Sequence, residues 1–332
     1  MVVRQTEAAG VHVASGSGHF PPSLLHAAAK LYYEQDATQA QIAVELQTSR
    51  ATVSRLLSEA RRLGIVRIEV VAPDHVGTNE LATQVATVLG LDAVHLSEPI
   101  AAPSAARPIE DTLGRVLAPA VSRALTKVGL RPGDVLLVSS GRTMYEVARY
   151  DLPSLPGVIV APTVGGTDQP EGWYQTNEIA RRIAERVGGR PTYLFAPALP
   201  GPELYATLQE DPAIQRVLHL WPHASCVLTG VGAPPVLRSQ APQFVDLSSP
   251  DLIEAVGDVC SRFYNRDGRP VTFPGGDRLI AVKLEMLQQV PTVIAVAAGP
   301  DKVAPLISGA RAKFFNQVVT DPRTAEDILV RA

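Results

Sequence analysis

Cysteine is scarce in this sequence: Cys226 and Cys260 are the only two in 332 residues. The pair has no metal-type spacing, so the sequence predicts no metal site, and nothing in it indicates another cofactor. Two isolated thiols are typical of a protein in a reducing compartment, so we expect them to be buried and free, in the cytoplasm. A disulfide between them is the minor alternative.

Long apolar runs are also missing. No run approaches the roughly 20 residues that a membrane-spanning helix needs, so we expect no membrane partner. Residues 1–22 lack the apolar stretch of a signal peptide and are interpreted as a flexible tail. Apolar residues make up 46% and charged residues 19% of the chain, which fits a globular protein with a sizeable core. A chain of this length predicts two domains of unequal size.

Excess positive charge is confined to one short segment. Residues 49–63 carry four arginines against one glutamate, a balance of +3, whereas residues 73–332 carry 23 basic and 27 acidic residues, a balance of −4. The chain is therefore no general binder of polyanions. Any contact with nucleic acid is expected in the N-terminal segment.

Residues 23–72 have the pattern of a winged helix-turn-helix. Thr38, with Gln41 three residues later, predicts a capped short helix, and the turn "QTS" separates it from a longer helix that ends at Gly64. Alternation in "IVRIEVV", residues 65–71, predicts a strand as the wing. An apolar stripe before the short helix predicts a first helix with Leu24, Leu25, Ala28, Leu31 and Tyr32 on one face. The short helix is predicted to bury Ile42, Ala43 and Leu46, and the longer helix Val53, Leu56, Leu57, Ala60 and Leu63.

The start of the longer helix carries hydrogen-bonding side chains where base edges and phosphates would lie. The alternative is a helical hairpin with a solvated basic face. The order of cap, small residue, turn and a helix start rich in Ser, Thr and Arg favours DNA binding. The residues predicted to contact a double-stranded DNA operator are Thr38, Gln39, Ser49, Arg50, Ala51, Thr52, Ser54 and Arg55.

Residues 93–332 have the pattern of a doubly wound, mostly parallel α/β domain, preceded by a linker helix over residues 73–92. Short apolar strands that alternate with helical patterns indicate a parallel sheet with helices on both faces. In such sheets small ligands bind beyond the carboxyl ends of the strands. The strand candidates include "DVLLVSS", "GVIVAP", "PTYLFAP", "CVLTGVG" and "TVIAVAAG", and "NRDGRP" predicts a hairpin turn.

Glycines and polar residues follow several of these strands. Gly141, Arg142 and Thr143 at a helix start can hold a phosphate, and a glycine pair can bring backbone close to a ligand. Each signal is weak alone, because such glycines are ordinary in α/β folds and lysines usually lie on the surface. Their convergence at strand ends favours a binding site. The remaining residues predicted to form it are Gly165, Gly166, Gln175, Asn177, Asp258 and Lys302.

A set of motifs in one order carries a family resemblance. They are "QAQIAVELQTSRATVSRLLSEARRLGIVRIEV", "SSGRTM", "PTVGG", "QTNEIARRIAERVGG", "FAPALP", "VGDVCSRFYNRDGRPV" and "AAGPDKVAPLISGARAKFFNQVVTD". With them the chain resembles SorC-type bacterial transcriptional regulators over about residues 24–329. The resemblance implies a winged helix-turn-helix followed by an effector domain similar to the ribose-5-phosphate isomerase and glucosamine-6-phosphate deaminase fold. It also implies a homo-oligomer, dimer to tetramer, whose DNA affinity responds to a sugar phosphate or a related carbohydrate metabolite.

The same resemblance assigns roles to the site residues. Residues 141–143 would hold the phosphate, the residues from Gly165 to Asn177 named above would line the sugar site, and Asp258 and Lys302 would close it. Two departures affect the effector. Val164 stands where the family often has an arginine, and residues 139–182 contain no lysine. A second phosphate contact and a Schiff base from this stretch are thereby removed, so we expect an effector with one phosphate or none.

Three functions remain open from the sequence. The favoured one is a ligand-responsive transcriptional regulator without catalytic residues, and repression is favoured over activation. The alternative is a sugar-phosphate isomerase or deaminase with a DNA-binding appendage. Such an enzyme would need a general base beside the sugar's C1 and C2, for which Asp258 with Lys302 is the only pair to nominate. A third is an oligomerisation scaffold with an empty pocket.

Overall fold

The computed structural model describes residues 20–66, 76–100, 109–238 and 240–332. The chain divides into two units, residues 1–73 and residues 74–332. No helix in the described ranges combines the length and the apolar composition that crossing a membrane requires.

The first unit is a small helical domain. Its helices are α1 (Pro22–Tyr33), α2 (Gln39–Glu45) and α3 (Arg50–Arg62). The predicted capping box is confirmed, because the Thr38 hydroxyl accepts from the Gln41 backbone N–H and the Gln41 side chain accepts from the Thr38 N–H. Ser49 caps α3 by accepting from the Thr52 N–H at 3.1 Å. The two helices are therefore separated by a turn in which Gln47 has a positive φ of 48°.

The core of this unit is close to the predicted one. Leu25, Ala28, Ile42, Ala43, Val53, Leu56, Leu57 and Ala60 are all buried. The prediction for Leu63 is wrong: the residue is 43% exposed because α3 ends at Arg62, and Leu63 lies in the turn that precedes Gly64. Tyr32 is also on the surface. The predicted wing over residues 65–71 lies outside the described residues from position 67 onward.

The second unit is a three-layer α/β domain. The strands of its main sheet are β1 (Ala93–Leu96), β2 (Val135–Val138), β3 (Ile159–Pro162), β4 (Arg190–Pro191), β5 (Cys226–Gly230), β9 (Thr292–Val296) and β10 (Gln317–Thr320), and those of a small second sheet are β6 (Ala255–Val259), β7 (Arg262–Asn265) and β8 (Pro270–Val271). The helices are α4 (Val76–Leu89), α5 (Ile109–Val128), α6 (Arg142–Val147), α7 (Thr176–Val187), α8 (Pro202–Glu210), α9 (Pro212–Leu218), α10 (Leu284–Leu287), α11 (Val303–Arg311) and α12 (Pro322–Arg331).

The main sheet is parallel throughout, with the strand order β1-β10-β9-β5-β2-β3-β4. Neighbouring residues of β2 belong to different apolar cores, Leu136 to one face of the sheet and Leu137 to the other. Burial of both faces explains the continuous apolar strands and confirms the doubly wound, mostly parallel class. Helix α4, predicted as a linker helix, packs Val85 and Leu89 into one of these cores.

One predicted strand is largely absent. Within "PTYLFAP" only Pro191 belongs to a strand, the two-residue β4 at the sheet edge, while Tyr193 is 37% and Phe195 78% exposed. The side chain of Asn177 explains the interruption, because it accepts from the Leu194 N–H at 2.9 Å and donates to the Leu194 carbonyl at 3.1 Å. These bonds replace the ladder that a longer strand would make with a neighbour.

The predicted hairpin at "NRDGRP" is confirmed. Strands β7 and β8 are antiparallel and join through a turn in which Gly268 has a φ of 74°. Strand β6 pairs antiparallel with β7 and completes the small sheet. Both cysteines are buried and unpaired, and burial raises the pKa of Cys226 to about 12 and that of Cys260 to about 11.

Candidate effector-binding site and nucleic-acid interface

The strand order reverses between β2 and β5. From β2 the chain runs outward through β3 and β4, and β5 then returns to the opposite side of β2. Ser139, directly after β2, is bonded to the end of β5, since its N–H donates to the Leu228 carbonyl at 3.1 Å and its Oγ accepts from the Gly230 N–H at 3.0 Å. A crevice at such a switch point is where open α/β sheets bind ligands.

Lys302 lies at this switch point, at the N-terminal end of α11. Its Nζ donates to the carbonyl oxygen of Val231, just beyond β5, at 2.8 Å. Burial, together with the positive charge of Arg238 and against the opposing charges of Asp258 and Asp301, lowers the pKa of Lys302 to about 8. The ammonium is therefore charged near neutral pH but held with little water around it.

Asp258 is tied into the same place from β6. Its Oδ1 pairs with the guanidinium of Arg238, and its Oδ2 accepts from the Ser261 N–H at 3.2 Å. Gly232 permits this packing, because a Cβ at that position would overlap both the Asp258 carboxylate and the Arg238 guanidinium. The carboxylate of Asp258 therefore pairs with Arg238, and its charge also acts on the ammonium of Lys302.

Arg142 opens α6 beyond the end of β2. Its Cζ lies 4.9 Å from the centre of the Trp173 ring, and its Nη2 donates to the Gln240 side-chain oxygen. Gly141 has a φ of 115°, which favours glycine, and its N–H donates to the Trp173 carbonyl at 2.9 Å. The Gly141 amide is therefore engaged within the protein, which leaves the Arg142 side chain and the half-buried Thr143 as the groups that could meet an anion.

Gly165 and Gly166 allow their own segment to pack closely against the backbone around Ala196. A Cβ on Gly165 would lie 2.7 Å from the Ala196 carbonyl oxygen, and the N–H of Gly166 donates to that same oxygen at 2.8 Å. Gly166 and Asn177 line a cavity of about 660 Å³, together with Thr167, Asp168, Phe195, Phe244 and others. The Asn177 amide is already bonded to Leu194, so its role toward an effector stays a prediction.

Glutamines link the parts of the site. Gln175 donates through its side chain to the Gln169 carbonyl. Gln169 in turn donates to the Ala241 carbonyl at 3.2 Å and accepts from the Gln243 N–H at 2.9 Å. The segment of residues 240–243 is thereby fastened both to Arg142 and to the loop before α7.

The predicted effector residues form two groups. Asp258 and Lys302 contact the segment directly after β5, and residues 141–143 follow the neighbouring strand β2, whereas the pair of glycines, Gln175 and Asn177 lie between β3 and the start of α7. Sequence reasoning missed Arg238, Trp173 and Gln240. None of the three directly follows a strand, and the only signal was the basic or aromatic character of two of them.

A larger groove lies elsewhere. It has a volume of about 990 Å³ and is lined by residues of α8, α9, β7, β8 and α10, including Trp221, Phe273 and Lys283. The predicted effector residues are not among those that line it. Within the described ranges no three His, Cys, Asp or Glu side chains are grouped to hold a metal ion.

The predicted DNA-contact residues lie at the N-terminal ends of α2 and α3. Ser49, Arg50, Ala51, Ser54 and Arg55 are exposed on or just before α3. The side-chain oxygens of Thr38 and Ser49 each accept a backbone N–H as a helix cap, and the Thr52 hydroxyl is 2.9 Å from Ser49 Oγ. Gln39, Arg50, Ser54 and Arg55 are not among these capping residues, and their contact with DNA stays a prediction.

Comparison with known proteins gives the family. The family model described as "Putative sugar-binding domain" matches residues 73–330. The deoxyribonucleoside regulator of Bacillus subtilis (strain 168) is 29% identical over 317 residues, which cover 91% of this chain and 96% of that protein. The sorbitol operon regulator of Klebsiella pneumoniae is 30% identical over 314 residues, with coverage of 91% and 96%. The crystal structure of the full-length sorbitol operon regulator SorC from Klebsiella pneumoniae matches with a TM-score of 0.72 and 28% identity, covering 94% of this chain and 100% of that chain.

The fold and the site define a regulator built from a small helical unit and an α/β ligand-binding unit. The chain belongs to the sugar-binding family of transcriptional regulators, and the resemblance found in the sequence is confirmed. The wing and the specific likeness to sugar-phosphate isomerases stay predictions.

Proposed function

We propose that this regulator binds operator DNA through α2 and α3 and binds a sugar phosphate at the β2–β5 switch point. The observation that carries the effector assignment is the charge at the ends of these adjacent strands. Arg142, Arg238 and Lys302 supply three cations, and Asp258 supplies one carboxylate. An excess of buried or half-buried positive charge is stabilised by an anion.

The sugar moiety would extend toward the loop after β3. Asp168, Thr167 and Asn177 line the cavity there and offer carboxylate, hydroxyl and amide groups to sugar hydroxyls. The relatives' names point to sorbitol and to deoxyribonucleosides as the kinds of compound that this family handles. The effector panel should therefore contain phosphorylated polyols and deoxyribose phosphates beside their unphosphorylated parents.

DNA recognition would follow the geometry of helix-turn-helix proteins. The start of α3 enters the major groove, where Arg50 and Arg55 bind guanine edges or phosphates. Gln39, at the start of α2, contacts the DNA backbone. A homo-oligomer, dimer to tetramer, presents paired α3 helices to a nearly palindromic operator. Acting on DNA in bacteria, the protein would work in the cytoplasm.

Effector binding would act by changing the DNA affinity. A differential affinity of about 1–3 kcal/mol between the DNA-bound and the released state suffices for regulation. Release of DNA on effector binding, as in a repressor, needs no contact with RNA polymerase and is the simpler assignment.

The contacts of Asp258 weigh against the enzymatic alternative. A general base must direct a lone pair at a substrate proton, whereas both oxygens of Asp258 already accept bonds from Arg238 and Ser261. The second nominated group, Lys302, is bonded to the Val231 carbonyl.

Separate variants of the two units test the proposal. Arg50→Ala is expected to weaken operator binding while effector binding, followed by isothermal titration calorimetry, is retained. Arg142→Ala is expected to show the reverse. If each variant lost both activities, this division of labour would be wrong. Incubation with ribose 5-phosphate checks the alternative, since any isomerisation by the purified protein would favour the enzyme.

A further inference from the structure

The Arg142 guanidinium is held between an indole ring and a carboxamide. Trp173 lies beneath it at 4.9 Å, and the Gln240 side-chain oxygen accepts from Nη2. Gln240 is an exposed residue in the loop between the 3₁₀ turns Pro235–Leu237 and Pro250–Leu252. Its oxygen offers the guanidinium the same kind of acceptor as a phosphate oxygen, but without the negative charge.

The position of the guanidinium on the ring is fixed by its surroundings. The Trp173 carbonyl accepts from the Gly141 N–H, one residue before Arg142, at 2.9 Å. The Trp173 ring packs edge-on against Tyr145 of the same helix α6, with 6.5 Å between ring centres. A cation held over an indole face gains stability, and the N–H donors of a guanidinium lie in the plane of that group. The acceptor in front of those donors is therefore the variable part of the arrangement.

Gln240 is held in place by its own segment. The Ala241 carbonyl accepts from the Gln169 side chain at 3.2 Å, and the Gln243 N–H donates back to that side chain at 2.9 Å. Gln169 is also bonded to Gln175, at the start of α7. A ligand that replaces Gln240 on Arg142 must therefore act against a fastened segment of four residues.

We propose that Gln240 is a specificity-determining residue whose carboxamide occupies the place of the effector's anionic group on Arg142. The inference rests on the proposed function. A phosphate carries a charge of about −1.5 to −2 and makes charge-assisted bonds roughly twice as strong as those of a neutral acceptor, so it displaces the carboxamide. A sugar hydroxyl is another neutral acceptor and gains nothing by the exchange. Gln240 thus selects phosphorylated over unphosphorylated effectors.

Trp173 provides a local signal for the test. The chain has two tryptophans, and the other, Trp221, is buried with its indole N–H bonded to the Pro162 carbonyl at 2.9 Å. The full-length protein is titrated with inorganic phosphate while tryptophan fluorescence is recorded. Trp173→Phe supplies the blank for the signal, and Arg142→Ala supplies the blank for anions bound elsewhere, such as on the arginines of α3.

Two substitutions at one position shift the affinity in opposite directions. Gln240→Ala removes the competitor, so phosphate binds about 2- to 10-fold more tightly, the range of one hydrogen bond. Gln240→Glu places a carboxylate on Arg142, so phosphate binds more weakly than in the wild type. Gln289→Ala, an exposed glutamine beyond α10, is the matched control and leaves the affinity unchanged.

The outcomes separate the inference from the function on which it rests. Weaker binding by both Gln240 variants, or no change in either, would overturn the inference, because Gln240 would then be a ligand or a bystander. The proposed function would survive that result as long as the wild type binds phosphate and Arg142→Ala does not. Absence of a phosphate response in the wild type would overturn both.

Discussion

Lys302 is joined to the end of strand β5 by the hydrogen bond from its Nζ to the Val231 carbonyl, 2.8 Å long. The bond connects the start of α11 to the strand that borders β2, whose own end leads to Arg142. A buried ammonium with one neutral acceptor retains donors for a further partner, because Lys carries three. An anion bound between these strand ends would satisfy it.

Removal of the Lys302 charge should abolish most of the effector affinity. Lys302→Met keeps the apolar stem and removes the ammonium, and loss of a hydrogen bond to a charged group is expected to weaken binding roughly 10- to 100-fold. Calorimetric titration with the active sugar phosphate measures the change. Lys127→Met, on the exposed end of α5, is the control and should bind as the wild type does. Equal affinity of wild type and Lys302→Met would remove Lys302 from the site.

Effector affinity should depend on pH through Lys302. Its pKa in the free protein is lowered to about 8, below the value of 10.5 for an exposed lysine, and a bound anion favours the protonated form. Affinity is therefore expected to be highest below pH 8 and to fall as the pH rises from about 8 toward 10. Titrations across this range, compared with Lys302→Met, measure the effect. A pH dependence that persists in the variant would have another origin.

The same shift has a consequence for stability. Because the folded state binds the proton of Lys302 more weakly than the unfolded state does, burial of the charge destabilises the ligand-free protein fully below about pH 8. The penalty decreases as the pH rises from about 8 to 10.5. Melting curves should show Lys302→Met as more stable than the wild type at pH 7, with the difference shrinking toward pH 10. A difference that is constant with pH would contradict the assignment.

Arg50 and Arg55 should carry DNA binding. Replacement of either by Ala is expected to lower the operator affinity, by about 1–3 kcal/mol if the arginine reads a base. Loss of a phosphate contact would instead reduce the slope of log K against log salt by about 1. Arg61→Ala, near the opposite end of α3, is the matched control. If Arg61→Ala were as harmful as Arg50→Ala, the start of α3 would not be the reading end.

Gly232 should tolerate no side chain. A Cβ there overlaps the Asp258–Arg238 ion pair, so Gly232→Ala is expected to separate the pair and to weaken effector binding. The melting temperature should fall as well, because breaking a buried ion pair leaves each charge buried without its partner. Gly201→Ala is the control, because a Cβ at position 201 meets no atom within 4 Å. Wild-type behaviour of Gly232→Ala would mean that the ion pair is dispensable.

Hydrophobic periodicity, helix caps and turn residues predicted much of the fold. The cap at Thr38, the apolar strands β2, β3, β5 and β9, and the hairpin around Gly268 are all local features, so the sequence alone carries them. The early end of the strand in "PTYLFAP" could not be predicted from the sequence, because the side chain that interrupts it, that of Asn177, lies 17 residues away along the chain.

The site was predictable only in part, for the same reason. Residues directly after strands, such as Arg142, follow from the rule for parallel sheets. Arg238 and Gln240 come from a long loop between β5 and β6, and their contacts with Asp258 and Arg142 depend on tertiary packing across 20 and 98 residues. Local patterns in a sequence do not indicate contacts between residues this far apart along the chain.

The most direct test of the account is fluorescence anisotropy on a labelled duplex from upstream of the protein's own gene. The measurement is made at fixed salt, because phosphate contacts make the affinity steeply salt-dependent. Sugar phosphates and their unphosphorylated parents are then added in turn. The account predicts tight, sequence-specific binding that one phosphorylated sugar shifts and its parent does not. Specific binding that only an unphosphorylated polyol shifts would contradict the anion site at Arg142, and absence of specific binding would contradict the regulator itself.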